Sequence, residues 1–464
     1  MDSRSSAGGG FVEAARGASG RRMALFIGVA AFLAFANTLG HALVYDDKLI
    51  LASPLVQDPW NLRALFTNGY YVSPKGNLEI YRPLTNVTFV LNYELNRWIT
   101  GDGANAFGFH LATLLCHVLA SVLAFVWLDR LGAPRAVAWT AALFFAVHPI
   151  HSEAVANVSG RSEALALAFG MAFLIAHRSG RMLAAALCYF AALWSKESAV
   201  AFLPVAVLAD ELVSAGRPPQ RFWSYAACAL VLVGWLVLRA NALSGSPSPT
   251  AFIDNPLVRV STLERVLTAA KVQLLYLRLS VFPCGLSTDY SFDHVPLARG
   301  FLDPHVLGFA LLAAGAVFVA LELRRAEPLV ALAIGAYVAC FAATSNFLFP
   351  IGTLMAERLA YAPSLCVCLL ASVCAWRLAP LLGRRTITIA VGVLAIAGLA
   401  LTLAQNRVWR DEATLYRAQV QSAPDSAKAH INLAQSLSLS GDLPAAAAEY
   451  EASLRIAPDY AWTW

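Results

Sequence analysis

Charge is scarce in this 464-residue chain: Asp, Glu, Lys and Arg make up 14% of it, against about 25% in an ordinary soluble protein. Apolar residues fill 58%, so the usual division of such a length into soluble domains does not apply. Lysine is scarcer still, confined to positions 48, 75, 196, 271 and 428, a bias that reads as codon composition. The net charge of +5 is small and scattered, which excludes the basic footprint of a nucleic-acid binder. Eight cysteines give no disulfide framework or zinc spacing, because all but Cys284 lie within apolar stretches. Cys366 and Cys368 read as small buried hydrophobes.

What the sequence has in abundance is apolar length. A hydrocarbon core of about 30 Å takes about 20 residues per helix, fewer where the ends snorkel. Eleven stretches qualify as spans, near 23–43, 107–128, 136–150, 162–177, 182–195, 199–213, 222–240, 304–323, 328–344, 358–376 and 386–404. The first is too long, and too poorly flanked by small residues, for a cleaved signal peptide. Alternate connections carry the arginines: Arg21 and Arg22, Arg130 and Arg135, Arg178 and Arg181, Arg217 and Arg221, Arg324 and Arg325, then Arg377, Arg384 and Arg385. These segments are expected inside by the positive-inside rule, which puts the C-terminus outside. A further stretch, Leu263–Phe282, carries Glu264, Arg265, Lys271, Gln273 and Arg278. Such residues are costly at membrane depth, so it is expected to lie along the outer surface.

The tail changes character. Tyr416 and Tyr450 are 34 residues apart, as are Pro424-Asp425 and Pro458-Asp459. That period marks a tetratricopeptide repeat. In this register Leu433, Ala434, Ala446 and Tyr450 take the small and apolar landmarks, and His430 stands where tryptophan is usual. A following repeat would begin at Ala461 and put Trp464 on that landmark, so the array is expected to be cut short. The expected fold class is all-α, a polytopic membrane protein with a C-terminal helical repeat. Its divisions are a cytoplasmic segment 1–22, a membrane domain 23–404 with outer loops 44–106 and 241–303, and a repeat region 405–464.

The residues suited to chemistry fall on the outer side. Asp46 and Asp47 follow the first span, where a partly desolvated carboxylate can act as a general base; capping of the next helix is the plainer use of such a pair. Arg82 follows in the same loop, and arginine suits phosphate or carboxylate partners. His148, His151 and Glu153 could hydrogen-bond a sugar or ligate a metal, although the spacing is shorter than a zincin pair and Pro149 interrupts it. Arg161, Lys196 and Arg358 are cations on the side that the arginine rule depletes. Each has an acidic neighbour, Glu163, Glu197 or Glu357. Cations at an outer rim suit a lipid-linked phosphate, and pairing with those glutamates is the alternative.

These strings, taken in order, resemble the transmembrane and tetratricopeptide-repeat (TMTC) family, of the GT-C glycosyltransferase class that includes protein O-mannosyltransferases. The resemblance runs through Val44-Tyr45-Asp46-Asp47, Tyr81-Arg82-Pro83-Leu84-Thr85, Phe109-His110 with His117, and Ala146 to Val155. It continues through Gly160-Arg161, Ser195-Lys196-Glu197, Asp254-Asn255-Pro256, Ser345 to Pro350, Glu357 to Ser364, and Asn406 to Trp409. It implies an eleven-span GT-C core, a polyprenyl-phosphate sugar donor (mannose in eukaryotic members) and transfer to protein hydroxyls. The family's presumed catalytic carboxylates map to Asp46 and Asp47, with Asp47 the preferred base because Asp46 is nearer the anchor. Arg358, Lys196 and Arg161 are expected to stabilise the leaving phosphate, with Glu357, His148, His151, Glu153 and Arg82 completing the substrate site. The carrier lipid is the expected donor, a protein or glycan the acceptor, and a peptide the partner of the repeats. No Asp-x-Asp for a nucleotide sugar is seen, no cofactor beyond the lipid-linked donor is called for, and dependence on a divalent metal is left open. Composition points to a bacterial inner membrane with the site in the periplasm. In a eukaryotic lumen Asn86-Val-Thr and Asn157-Val-Ser would be glycosylation sequons. The competing functions are a non-enzymatic membrane-anchored scaffold and a transporter, the latter weakened by motifs gathered on one face.

Overall fold

The computed structural model describes residues 5–58, 62–67, 72–73, 76–77, 80–213, 219–243 and 250–459, with side chains from residue 19 onward. Arg217 and the stretch from Ala461 to Trp464 lie outside the described residues. Helices dominate, beside one two-residue antiparallel ladder, Val72–Ser73 with Gly76–Asn77. Each of the eleven apolar stretches coincides with a helix: Ser5–Phe35, Ala106–Leu131, Arg135–Ala146, Arg161–Arg178, Met182–Ser195, Phe202–Val213, Pro219–Leu243, Pro304–Leu323, Pro328–Ala342, Tyr361–Leu382 and Arg384–Asn406. Among the described residues, seven helices are long and apolar enough to cross a bilayer. Arg135–Ala146 and Phe202–Val213 have 12 residues each, about 18 Å at 1.5 Å per residue. Length alone therefore vouches for seven crossings rather than eleven.

The short helices stop where the sequence forces a break. Pro149 has no N–H to give, and His148 Nδ1 accepts the Ile150 amide at 3.2 Å, so the helix from Arg135 ends at Ala146 rather than at 150. Lys196 and Ala356 are both extended, and each is followed by a tight 3-10 turn that begins with glutamate, Glu197–Ala201 and Glu357–Ala360. These breaks set charged side chains at helix ends, which is how a membrane bundle builds a polar site at its rim.

Arg161–Arg178 lies at the centre; the Val158–Arg178 window is 78% buried, against 6% for Pro304–Leu323 at the periphery. Small residues let the inner helices approach closely: Ala164 and Ala168, Ala138 and Ala142, Ala120 and Ala124 are all buried in one core. Leu311, Phe318 and Leu381 point outward and exposed. An apolar belt of that kind belongs against lipid.

The two ends of the bundle differ. At one, Asp210 gathers His177, Arg221 and Tyr225, Arg178 donates to the Arg130 carbonyl, and Arg135 pairs with Asp129. These are the arginine-bearing connections. At the other, segments from 41–58, 148–161, 250–303, 345–360 and beyond 407 pack together. The stretch read as interfacial is the helix Thr262–Val281, started by a reciprocal Ser261–Glu264 capping box. It is not among the seven span candidates. Pro83–Thr100 is an 18-residue helix within what the sequence marked only as a loop. Leu91, Leu95, Trp98 and Ile99 form its exposed stripe, while Asn86, Asn92 and Asn96 are buried.

The tail forms three helices, Glu412–Ser422, Ala427–Leu439 and Leu443–Ile456, capped by Asp411, Ser426 and Asp442. Leu433, Ala434 and Ala446 are buried between them, and His430 sits between the Pro424 carbonyl and Glu449. The all-helical membrane architecture with a helical repeat is thus borne out.

Gly170 shows how tight the inner packing is, since a Cβ there would lie 2.3 Å from the Phe202 ring, whereas Gly234 faces open space. Gly170→Ala is expected to lower stability by about 1–3 kcal/mol. Gly234→Ala should be neutral or stabilising by up to about 1 kcal/mol. Thermal unfolding of the two variants in detergent checks this; equal behaviour would contradict the packing described.

Candidate functional site

The outer end of the first helix turns through Ala36–Gly40 and runs extended to Tyr45, whose φ of 54° is rare for a residue with a side chain. That twist starts the short helix Asp46–Ala52 with two carboxylates in its first turn. Their fates diverge. Asp47 is fully buried and accepts the Val158 amide at 3.2 Å and the Ser159 amide at 2.8 Å. It clips the first outer segment onto the turn that follows the third apolar helix. Burial pushes its carboxyl up to about 7, although the two amides pull the other way. Asp46 is half-buried, and among the described residues no hydrogen bond holds its carboxylate. Burial raises it too; Arg358 and Lys428 draw it back, while Glu153 and Asp254 push it further up.

Glu153 is buried and holds Arg358 doubly, accepting from its guanidinium and, at 2.9 Å, from its backbone amide. Arg358 keeps 30% of its side chain exposed, which leaves it open to a ligand. Lys196 is buried against Glu163 as an ion pair. Arg82 grips Glu197 with two bonds, at 2.9 and 2.6 Å, and reaches the Ser162 hydroxyl at 3.3 Å. Burial raises the Glu197 carboxyl, but the charge and hydrogen bonds of Arg82, with Lys196, outweigh it and hold the group at about 2.

Not every expected site residue reaches the cluster. Arg161 is sealed inside, donating to Thr113, Asn92 and the carbonyls of Thr88 and Phe109, with its guanidinium over the Phe89 ring. These four hydrogen bonds make it a structural bolt between Pro83–Thr100, Ala106–Leu131 and its own helix. Glu357 is also buried and accepts from the Ser287 amide and the Tyr290 hydroxyl, which ties down the 284–291 loop. His148 donates to the Ser280 carbonyl, and His151 Nε2 meets the Ser364 hydroxyl at 2.7 Å. Among the described residues no group of three or more His, Cys, Asp or Glu could hold a metal ion. Asn86 and Asn157, the two sequon asparagines, are buried.

A narrow cleft adjoins the cluster and is lined by Glu163, Lys196, Ser198 and Leu359 among others. It shares Leu167, Phe202, Cys340 and Ala362 with a second, almost wholly apolar cleft that runs on past Trp127, Val205, Ala336 and Leu369. The two adjoin as one narrow passage, charged at one end and greasy at the other. Leu359, on its wall, is the residue after Arg358.

This arrangement can be set beside known proteins. Residues 245–317 match the family model described as protein O-mannosyl-transferase TMTC, DUF1736. Over 92% of its length the chain is 27% identical to protein O-mannosyl-transferase F38B6.6 of Caenorhabditis elegans. The resemblance to the TMTC family is borne out. The chain is likewise 27% identical over 93% of its length to human protein O-mannosyl-transferase TMTC1, and 32% identical over 60% to Drosophila melanogaster Tmtc2. It spans about half of the relatives' length: 61% of the nematode protein, 55% of the human one and 31% of the fly one.

Three participants escaped the sequence reading. Tyr45 and Asp254 lay within the strings that carry the resemblance but were given no role. Lys428 was visible only as one of five lysines, set in the first turn of a repeat helix.

The buried Asp47 sets a pH signature. Its folded pKa of about 7 lies above the ordinary value of about 3.9, so the folded state binds its proton more tightly than the unfolded chain does. The cost of burying the charge is absent below about pH 4, grows up to about pH 7 and is complete above. Wild type is therefore expected to lose stability relative to Asp47→Asn as pH rises from 5 to 8, read as the difference in thermal midpoints. A pH-independent difference would contradict the assignment.

Proposed function

We propose that the outer cluster is the transfer site of a membrane glycosyltransferase. It would move a monosaccharide, mannose by the names of the relatives, from a polyprenyl-phosphate carrier to a hydroxyl of a protein. One observation carries the reading: a half-buried carboxylate, Asp46, lies within electrostatic reach of the partly exposed Arg358, whose chain neighbour Leu359 lines a passage charged at one end and apolar at the other. A carrier lipid needs both environments at once, a cation for the phosphate and an apolar channel for the chain. A nucleotide sugar needs only the first.

In the proposed reaction the acceptor hydroxyl gives its proton to Asp46 as its oxygen attacks the anomeric carbon. The bond from that carbon to the phosphate oxygen breaks, and polyprenyl phosphate leaves with the electron pair. Attack opposite the leaving group inverts the anomeric centre. Charge grows on the departing phosphate, and Arg358, held in place by Glu153, is placed to meet it. Lys196, neutralised by Glu163 at the mouth of the passage, serves as a second contact as the phosphate enters. Burial supports Asp46 over Asp47 as the base. Both oxygens of Asp47 are taken by backbone amides, and a carboxylate so engaged cannot also accept a substrate proton without releasing the loop. The arginine-bearing connections at the opposite end support an outward-facing site that shares its side with the repeats.

Transfer from a short-chain polyprenyl-phosphate mannose to a Ser/Thr peptide, in detergent, tests the assignment. Asp46→Asn should fall by about 100-fold or more, the ordinary contribution of a general base. Arg358→Gln should fall by about tenfold or more, some 1.4 kcal/mol of barrier. Asp47→Asn should keep activity within about tenfold, because one acceptor oxygen remains for Ser159. A scaffold would show no transfer in the wild type. Full activity in Asp46→Asn would overturn the role given to that residue.

A further inference from the structure

The repeat region does not hang free of the membrane domain; it is bolted to the rim of the site by several independent contacts. Asp293 N–H donates to the Asp425 carbonyl and Ala427 N–H to the Phe292 carbonyl, both at 2.9 Å. The Ser287 and Ser422 hydroxyls meet at 2.8 Å, and those of Ser291 and Ser426 at 3.0 Å. Lys48 pairs with Glu412 at 2.7 Å, and Ala42 N–H reaches the Arg410 carbonyl at 2.9 Å. Beneath these, Ile253, Ala427 and Ala457 share one apolar cluster, and Val44, Ala156, Trp409 and Leu415 share another. Backbone pairing on both sides of Ser426 fixes the start of the helix Ala427–Leu439 to within one register. That helix carries Lys428 in its first turn.

The fixed register aims Lys428 at the site. Its ammonium bonds Asp254 Oδ1 and lies 5.6 Å from the centre of the Tyr45 ring, the residue that precedes Asp46 and holds the strained turn. Its side chain is still 28% exposed, so it is not consumed by that pair. Resting on the reading of Asp46 as the base, we propose that Lys428 is a positioning residue of the transfer site: the first repeat, besides any part in acceptor recognition, completes the charged frame around Asp46. The membrane domain alone leaves that frame one cation short. Asp46 faces Arg358 and Glu153 from the inner turns, Asp254 from the outer loop, and Asp47 and Tyr45 from its own segment, with Asp289 beyond Lys428. Burial, Glu153 and Asp254 raise the Asp46 carboxyl and Arg358 lowers it, so a second positive charge eases its ionisation. Lys428 and Asp254 act on it with opposite signs.

Those opposite signs give a test that a merely structural role would not pass. In the full chain, in detergent, the protonation of Asp46 can be followed by carbodiimide labelling against pH, read by mass spectrometry, with no need for transfer activity. Lys428→Met should move the labelling midpoint up by about half a pH unit or more, and Asp254→Asn should move it down. Lys428→Arg should restore the wild-type midpoint. In the transfer assay the acid limb of kcat/KM should shift in the same directions. Shifts of the same sign in Lys428→Met and Asp254→Asn, or no shift in either, would overturn the proposal. If Lys428→Met loosens the repeat, seen as lost amide protection at Ala427, the downward shift in Asp254→Asn decides alone. Labelling shifts of the expected signs in a chain without transfer would uphold the frame and sink the glycosyltransferase reading instead.

Discussion

One buried carboxylate holds the outer face of this molecule together. Asp47, without exposed surface, accepts the amides of Val158 and Ser159 and so fastens the segment after the first helix to the turn before the central one. Everything proposed for the site depends on that clip. It anchors the short helix Asp46–Ala52, leaves Asp46 half-buried, and accompanies the unusual backbone conformation of Tyr45 beneath the repeat. The cost is a charge buried at neutral pH, offset by hydrogen bonds that the loop could not otherwise satisfy. Strain at Tyr45 beside a raised carboxyl is the pattern of a site over-determined by its surroundings.

The remaining charges obey the same logic of mutual restraint. Glu153 with Arg358, Glu163 with Lys196 and Glu197 with Arg82 each join segments distant in sequence. Each pair fixes a helix break, at Ala356, Lys196 or Arg82, that would otherwise leave the rim undefined. Buried pairs of this kind add little net stability, because desolvation consumes the Coulomb gain. Their value lies in geometry. Arg358 and Lys428, though paired, keep exposed surface for another group.

Much of this was legible in the sequence. All eleven apolar stretches became helices, because hydrophobic length and arginine-rich connections are local signals. The 34-residue period located the repeat helices, and the polar residues of Leu263–Phe282 kept that stretch out of the span candidates. The outer strings also converged, which their order in the chain could only imply. What was not legible were destinations. Arg161 and Arg358 look alike in sequence, each beside a glutamate at an outer turn. One is sealed among Thr113, Asn92 and two carbonyls, and the other is half open over Asp46, a difference set by neighbours 50 to 300 residues away. The same holds for the adjacent aspartates, where one step along a helical turn of about 100° separates a buried clip from an open carboxylate. The Pro83–Thr100 helix was missed because buried asparagines on its inner face masked the apolar periodicity of its outer one.

The account's central claim is that the charged rim and the apolar passage form one site for a carrier lipid. It is tested most directly by photo-crosslinking the protein with a diazirine-bearing polyprenyl phosphate and mapping the adducts by mass spectrometry. Adducts on the passage walls, in Arg161–Arg178, Phe202–Val213, Pro328–Ala342 and Tyr361–Leu382, competed away by unlabelled polyprenyl phosphate and lost in Arg358→Gln, are predicted. Adducts confined to peripheral helices such as Pro304–Leu323, unaffected by competitor or by the substitution, would contradict it.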